Sequence, residues 1–264
     1  MKTKLFFILS VFVLLAFICP PLFSENKTLA TATAAFKNAS EAIREAAKAN
    51  KFIVLLITEK KNDSIASIKT IVEKTVQKNS DRAIWYELDR NNASEKEIIE
   101  KYDLSRAPTP MILSVAPNGA VTVGLMGEKI TTEKLEGAFV SEGFQQLLKA
   151  MQDKKLALMC FQNSNLLSTD LAMKGVKDFT SDPYYAQNAV LIKIDPANPK
   201  EEKLLSSLKL ESKMKEATTV LLAPPGVSLA VFNGETKKEK IEEALKSNAS
   251  CGCQSGCCGS GCGK

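Results

Sequence analysis

The body of this chain is written twice, which restricts it to folds built from two like units. Phe36 to Thr58 and Phe139 to Phe161 align without a gap, bringing a helical stretch, Lys51 beside Lys154, and the strands FIVLLIT and KLALMCF together. Farther on, WYELD ending at Asp89 answers LIKID ending at Asp195, and the turn APNG at 116–119 answers APPG at 223–226. The copies close on GEKITTEKLEGAF and GETKKEKIEEAL, which share Glu-Lys-Leu/Ile-Glu-x-Ala-Phe/Leu. They meet near Phe139 to Gln145 with almost no linker, and so short a junction favours a packed pair over beads on a string.

Each copy alternates short apolar runs with helical periods, the pattern of an α/β sheet. The first copy predicts helices over 38–50, 64–78, 94–102 and 131–139, and strands over 52–58, 83–89, 110–116 and 120–126. The Pro117-Asn118-Gly119 turn between the last two strands reads as a hairpin.

The first 24 residues read as a secretory signal: Lys2 and Lys4, an apolar stretch from Leu5 to Ile18, then a break ending at Ser24. That stretch falls short of the roughly 20 residues that a spanning helix needs. Cys19 follows Phe17 and Ile18, which are bulkier than a lipoprotein cysteine would follow. The expectation is an exported protein, periplasmic or secreted, with no membrane span after cleavage. The formal charge is +5 and dispersed, with no basic patch interleaved with aromatics, which argues against a nucleic-acid partner.

The words KFIVLLI, YELD, KYDLS and RAPTPMILSVAPNGAV, in this order and each beside its helix, resemble the thioredoxin fold. The resemblance covers residues 30–140 directly and 141–247 through the repeat. It implies a cis-proline before the third strand, placed at Ala107-Pro108, with Thr218 at the matching position of the second copy. It also implies a C-x-x-C dithiol just after the buried strand, where a helix N-terminus lowers the attacking thiol's pKa. That place reads Asn62-Asp63-Ser64-Ile65 in the first copy and Asn165-Leu166-Leu167-Ser168 in the second, with no cysteine in either. The body is therefore not expected to be an enzyme, and no catalytic residue is assigned. Asp63-Ser64 reads as a helix N-cap, and Asp89 and Asp195 read as turn residues at strand ends.

The chain has no histidine, which excludes histidine-based triads and metal sites. Its chemistry is concentrated in the last fourteen residues, CGCQSGCCGSGCGK. Cys251, Cys253, Cys257, Cys258 and Cys262 stand among glycines that let a backbone wrap tightly. Such a tail takes its order from a metal, from disulfides or from a partner. Thiolates favour soft ions, and the adjacent pair suits Cu(I) slightly better than tetrahedral Zn. Export leaves disulfides equally open. Cys160, in the run LALMCF, reads as a small buried hydrophobe. Asn26, Asn38, Asn62, Asn92 and Asn248 begin glycosylation sequons, which matter only where exported proteins are glycosylated.

The fold expected is α/β: signal peptide 1–24, thioredoxin-like domains over 25–140 and 141–247, and a disordered or metal-ordered tail over 248–264. The function expected is an exported, non-catalytic binding protein whose tail holds Cu(I) or Zn and meets a protein partner or metal acceptor. Two alternatives stay open: a thiol-disulfide carrier or chaperone-like protein using the tail thiols, and a structural module with a disulfide-capped tail.

Overall fold

The apolar runs become the centres of two separate sheets. The computed structural model describes residues 36–59 and 63–251. In the first unit β1 (Phe52–Thr58) is buried along its whole length, because β2 (Ala83–Asp89) pairs with it in parallel on one side and β3 (Met111–Val115) antiparallel on the other. β4 (Val121–Met126) joins β3 as a hairpin, which makes the order β2-β1-β3-β4. In the second unit β5 (Leu156–Phe161), β6 (Ala189–Ile194), β7 (Thr218–Ala223) and β8 (Val227–Asn233) repeat this as β6-β5-β7-β8.

Strand alternation sends side chains to two helical layers. Ile53, Leu55 and Ile57 face α1 (Ala39–Lys48) and α3 (Lys96–Lys101), where Ala39, Ala42, Ala46 and Ile98 are buried. Phe52, Val54 and Leu56 face α2 (Asp63–Lys78) and α4 (Thr132–Glu136) through Ile68, Val72, Val76 and Leu135. The second unit places α5 (Glu142–Gln152) and α7 (Glu202–Ser207) on one face, and α6 (Thr169–Thr180) and α8 (Lys238–Cys251) on the other. These are two tandem thioredoxin-like domains.

The gapless alignment of the copies needs a correction. Ala157, Met159 and Phe161 face α5 as Ile53, Leu55 and Ile57 face α1, so Phe52 corresponds to Leu156 and not to Lys155. Asn50 and Lys154 both take left-handed backbone, at φ 53° and 58°, and pair with each other in place of Lys51 and Lys154. The shift is one residue and already holds at the helix starts, where Ala39 N and Gly143 N take equivalent carboxylate caps. It decides the packing, since a slip of one turns every strand side chain to the opposite face.

A second correction concerns proline. The cis bonds are Thr109-Pro110 and Pro224-Pro225, not Ala107-Pro108. Met111 pairs with Ile57 as Thr218 pairs with Phe161, so Ala217, not Thr218, stands where Pro110 stands.

The same carboxylate device starts α1 and α5. Glu95 Oε2 accepts from Ala39 N at 2.8 Å, and Glu201 Oε1 accepts from Gly143 N at 3.1 Å. Both carboxylates are buried, and each meets a hydroxyl: Tyr86 donates to Glu95 at 2.8 Å and Ser141 to Glu201 at 2.6 Å. Each satisfies a helix-terminal N–H that has no partner inside its helix. Asn38 and Ser141 supply the ordinary N-caps as well.

Candidate functional site

In the second unit the place expected for a dithiol is filled by the chain itself. Ser168 precedes α6 in left-handed backbone at φ 58° and makes no side-chain cap. Thr169 Oγ1 donates to the carbonyls of Leu166 and Asn163 at 3.0 and 3.1 Å, tightening the turn into the helix. Leu167 N donates to Lys215 O at 3.2 Å, and Ala217 N donates to Leu167 O at 2.9 Å. Leu167 thus lies along the segment that enters β7 and uses backbone groups there, while its own side chain is exposed. Cys160 is the cysteine nearest in sequence to this place.

In the first unit the corresponding end of the sheet is held by charge. Arg90, after β2, pairs with Glu59, after β1, and donates to Ala107 O at 2.5 Å and Leu104 O at 3.3 Å. Asn91 Nδ2 donates to Glu59 O at 3.1 Å, and Thr109 Oγ1 lies 3.5 Å from Glu59 Oε2. Three loops are therefore tied through one ion pair. Of the expected dithiol positions here, Asn62 lies outside the described residues, while Asp63 begins α2.

Cys160 is completely buried. Burial pushes its thiol pKa up, against smaller opposing effects from the Thr219 hydroxyl and from Lys193. Thr219 Oγ1 lies 3.8 Å from the sulfur and takes a bond from Thr236 Oγ1 at 3.2 Å. A buried, protonated thiol is a poor nucleophile. Asp89 and Asp195 do serve as turn residues, accepting from Asn91 N at 2.9 Å and Ala197 N at 3.0 Å. The Asn163 amide, then Ala197 N, hold the Asp195 carboxyl below its ordinary range.

The five tail cysteines divide at the edge of the described residues. Cys251 is the last residue of α8, so the helix runs into the segment expected to be tail; Cys253, Cys257, Cys258 and Cys262 lie outside the described residues. Asn248 Nδ2 donates to Leu229 O at 3.3 Å, which sets the end of α8 against the start of β8. The N-terminus of α6 sits by Lys215–Ala217, at the other end of the paired strands β7 and β8. A strand of β7's length spans roughly 20 Å at about 3.3 Å per residue, so the described end of α8 and the N-terminus of α6 lie toward opposite ends of these strands. Among the described residues no three Cys, Asp or Glu side chains group as metal ligands, and no helix is long and apolar enough to cross a membrane.

Where the two domains meet, a groove of about 980 Å³ is lined by Phe52, Arg82, Asn118, Phe139, Phe144 and Lys200, among others. Arg82 donates to Phe139 O, and its guanidinium lies 5.6 Å from the ring centroids of both Phe52 and Phe139. Gln152, at the end of α5, also joins the two domains: its amide accepts from Val121 N at 2.9 Å and donates to Val121 O at 2.7 Å.

The strand-terminal aspartates each open a longer motif that the sequence alone did not single out. Asp-x-x-Asn-x-x-Glu occurs at 89–95 and again at 195–201. Asn92 and Asn198 each accept from the backbone two residues on at 3.1 Å, and the glutamate of each motif caps the first helix of its domain, α1 or α5. The repeated spacing is the signal that could have found them.

Neither a protein-family model nor a curated protein sequence matches the chain. Among solved structures it is similar to the first two thioredoxin domains of Saccharomyces cerevisiae Eps1p, at 12% identity over 79% of this chain and 96% of that one, with TM-score 0.29. It is also similar to human ERp44, at 10% identity over 79% of this chain and 54% of that one, with TM-score 0.35. Fasciola hepatica thioredoxin matches at 14% identity over 39% of this chain and 91% of its own, with TM-score 0.32.

Proposed function

We propose that this chain is an exported, non-catalytic thioredoxin-like binding protein whose tail cysteines, Cys251 to Cys262, hold a soft metal ion. The observation that carries the reading is the tail itself: five thiols within twelve residues, in a chain whose first domain has no cysteine and whose second has only Cys160 in its body. Buried Cys160 leaves the body without an accessible thiol among the described residues.

The donor set fits a thiophilic ion. Cu(I) accepts two or three thiolates, and Cys251 with Cys253, or Cys257 with Cys258, supplies such numbers without histidine. A bound soft ion would hold the thiolates against oxidation. Binding displaces thiol protons, so affinity falls as pH falls. The two-domain body serves as the docking platform for a protein that delivers or accepts the ion.

Elemental analysis of full-length protein isolated anaerobically tests this. The reading requires thiophilic metal bound in proportion to protein. A metal-free protein with fixed intra-tail disulfides would replace it with the disulfide-capped module, and a metal-free reducible thiol pool with the thiol carrier.

A further inference from the structure

Asn-Gly occurs twice in the chain, at Asn118-Gly119 in the first domain and at Asn233-Gly234 in the second. Such a pair can rearrange without an enzyme, because glycine leaves its backbone nitrogen unshielded and lets the chain take the geometry that attack requires. The Gly nitrogen gives up its proton and bonds to the Asn side-chain carbon, Cγ. The Cγ–Nδ2 bond breaks, and Nδ2 departs with that proton as ammonia, leaving a five-membered cyclic imide. Water then opens the ring at either carbonyl to give aspartate or isoaspartate. Water is the sole co-reactant, and nothing is oxidised or reduced.

The two sites differ in what surrounds the attacking nitrogen. Gly234 is buried, and its N–H donates to Ala217 O at 2.7 Å. Asn233 Oδ1 accepts from Thr218 Oγ1 at 3.1 Å, across the pairing of β8 with β7, which holds the carboxamide toward β7. The Glu216 carboxylate crowds the same glycine: a Cβ there would lie 2.6 Å from Glu216 Oε2. A negative charge so close opposes the amide anion through which attack proceeds.

Asn118 stands exposed at the tip of the hairpin between β3 and β4, with Gly119 at φ 83°. Its Oδ1 accepts from Ala120 N at 3.1 Å. That bond reaches past Gly119 and so folds the carboxamide over the Gly119 nitrogen. It also puts an N–H donor on the oxygen that gains negative charge when the nitrogen adds. Lys149 of α5 lies over the turn, its Cε 3.9 Å from where a Cβ on Gly119 would sit, and its ammonium bonds Asp153 as well. A cation therefore faces this amide where a carboxylate faces the other. One bond resists attack: Gly119 N donates to Ala116 O at 2.9 Å, but it belongs to an exposed turn, the kind of segment that opens locally.

We propose that Asn118 converts spontaneously to aspartate and isoaspartate in the folded protein, that Asn233 does not, and that the charges facing the two glycine amides decide between them. The product brings a carboxylate into the groove between the domains, which Asn118 lines with Arg82 and Lys200. The isoaspartate form also lengthens the backbone by a methylene in a turn that packs on α5. The joint thus changes with age and without an enzyme.

Peptide mass mapping of full-length protein held folded in warm neutral buffer tests this. Electron-transfer fragmentation tells isoaspartate from aspartate, and the same protein in denaturant is the reference in which both sites are free. In the folded protein Asn118 should convert at least about tenfold faster than Asn233. Lys149→Met should slow conversion at Asn118 and Glu216→Gln should speed it at Asn233, each in the folded protein and not in denaturant. Where either variant fails to fold, the wild-type comparison decides. The proposal is overturned by equal conversion of the two sites in the folded protein, by faster conversion of Asn233, by an inert Asn118 while the denatured chain converts, or by folded variants that leave both rates unchanged.

Discussion

Glu201 accepts from Gly143 N and from Ser141 Oγ with its two oxygens and is itself buried. Glu201→Ala leaves the buried Gly143 N–H without an acceptor, a loss of about 1–3 kcal/mol; Glu95→Ala strands Ala39 N and the Tyr86 hydroxyl in the same way. Urea unfolding checks both, and a loss under about 0.5 kcal/mol contradicts the capping role. Cys160 behaves oppositely to a reactive thiol. Because burial raises its pKa above the ordinary 9.0, the folded state holds its proton more tightly than the unfolded chain. Its contribution to stability is complete below that value and is lost as pH rises through the folded pKa. Alkylation at neutral pH should therefore spare Cys160 until denaturant is added, as peptide mass mapping would show. Modification in the native state would mean that the strand opens.

At the scale of elements, close approach outweighs helix propensity. A Cβ on Gly175 of α6 would lie 1.5 Å from the Thr236 carbonyl oxygen, which belongs to backbone and cannot swing away. Gly→Ala inside a helix ordinarily gains about 1 kcal/mol, whereas forcing the backbone apart costs about 1–3 kcal/mol or more. Gly175→Ala should thus destabilise by about 2 kcal/mol, measured by thermal or urea unfolding; a gain would show that α6 and the segment before α8 can separate freely. Most elements are legible in the sequence because their signals are local. FIVLLIT and AIWYELD are apolar runs of strand length, and both strands begin and end as the sequence suggests. α4 is shorter than its pattern, ending at Glu136 before Gly137. The letter-by-letter alignment of the copies is one residue out because Lys51 matched to Lys154 outscores a left-handed turn residue that carries no letter of its own. The cis bond is misplaced from sequence for a similar reason. Ala-Pro-Thr-Pro offers two prolines, and the strand register that chooses Pro110 is a long-range fact. The buried carboxylate caps bridge 56 and 58 residues of sequence, beyond any local pattern.

Across the whole molecule, two thioredoxin-like sheets share one joint. Arg82 lies against two phenylalanines there, and α5 serves both its own sheet and the edge of its neighbour. A protein ending at Asn248 keeps Ile241, Ala244 and Leu245 in place against the second core. It should melt with the full chain, and it should not reduce insulin, because its one thiol besides Cys19 is the buried Cys160. Turnover comparable with a thioredoxin would show that this thiol is accessible and active. The central claim is most directly tested by titrating Cu(I) under anaerobic, reducing conditions into the full-length protein and into the protein ending at Asn248. The account predicts tight uptake by the full chain, sharply weakened by Cys251→Ser with Cys253→Ser and absent from the shortened protein. Equal uptake by the full and shortened proteins would contradict it.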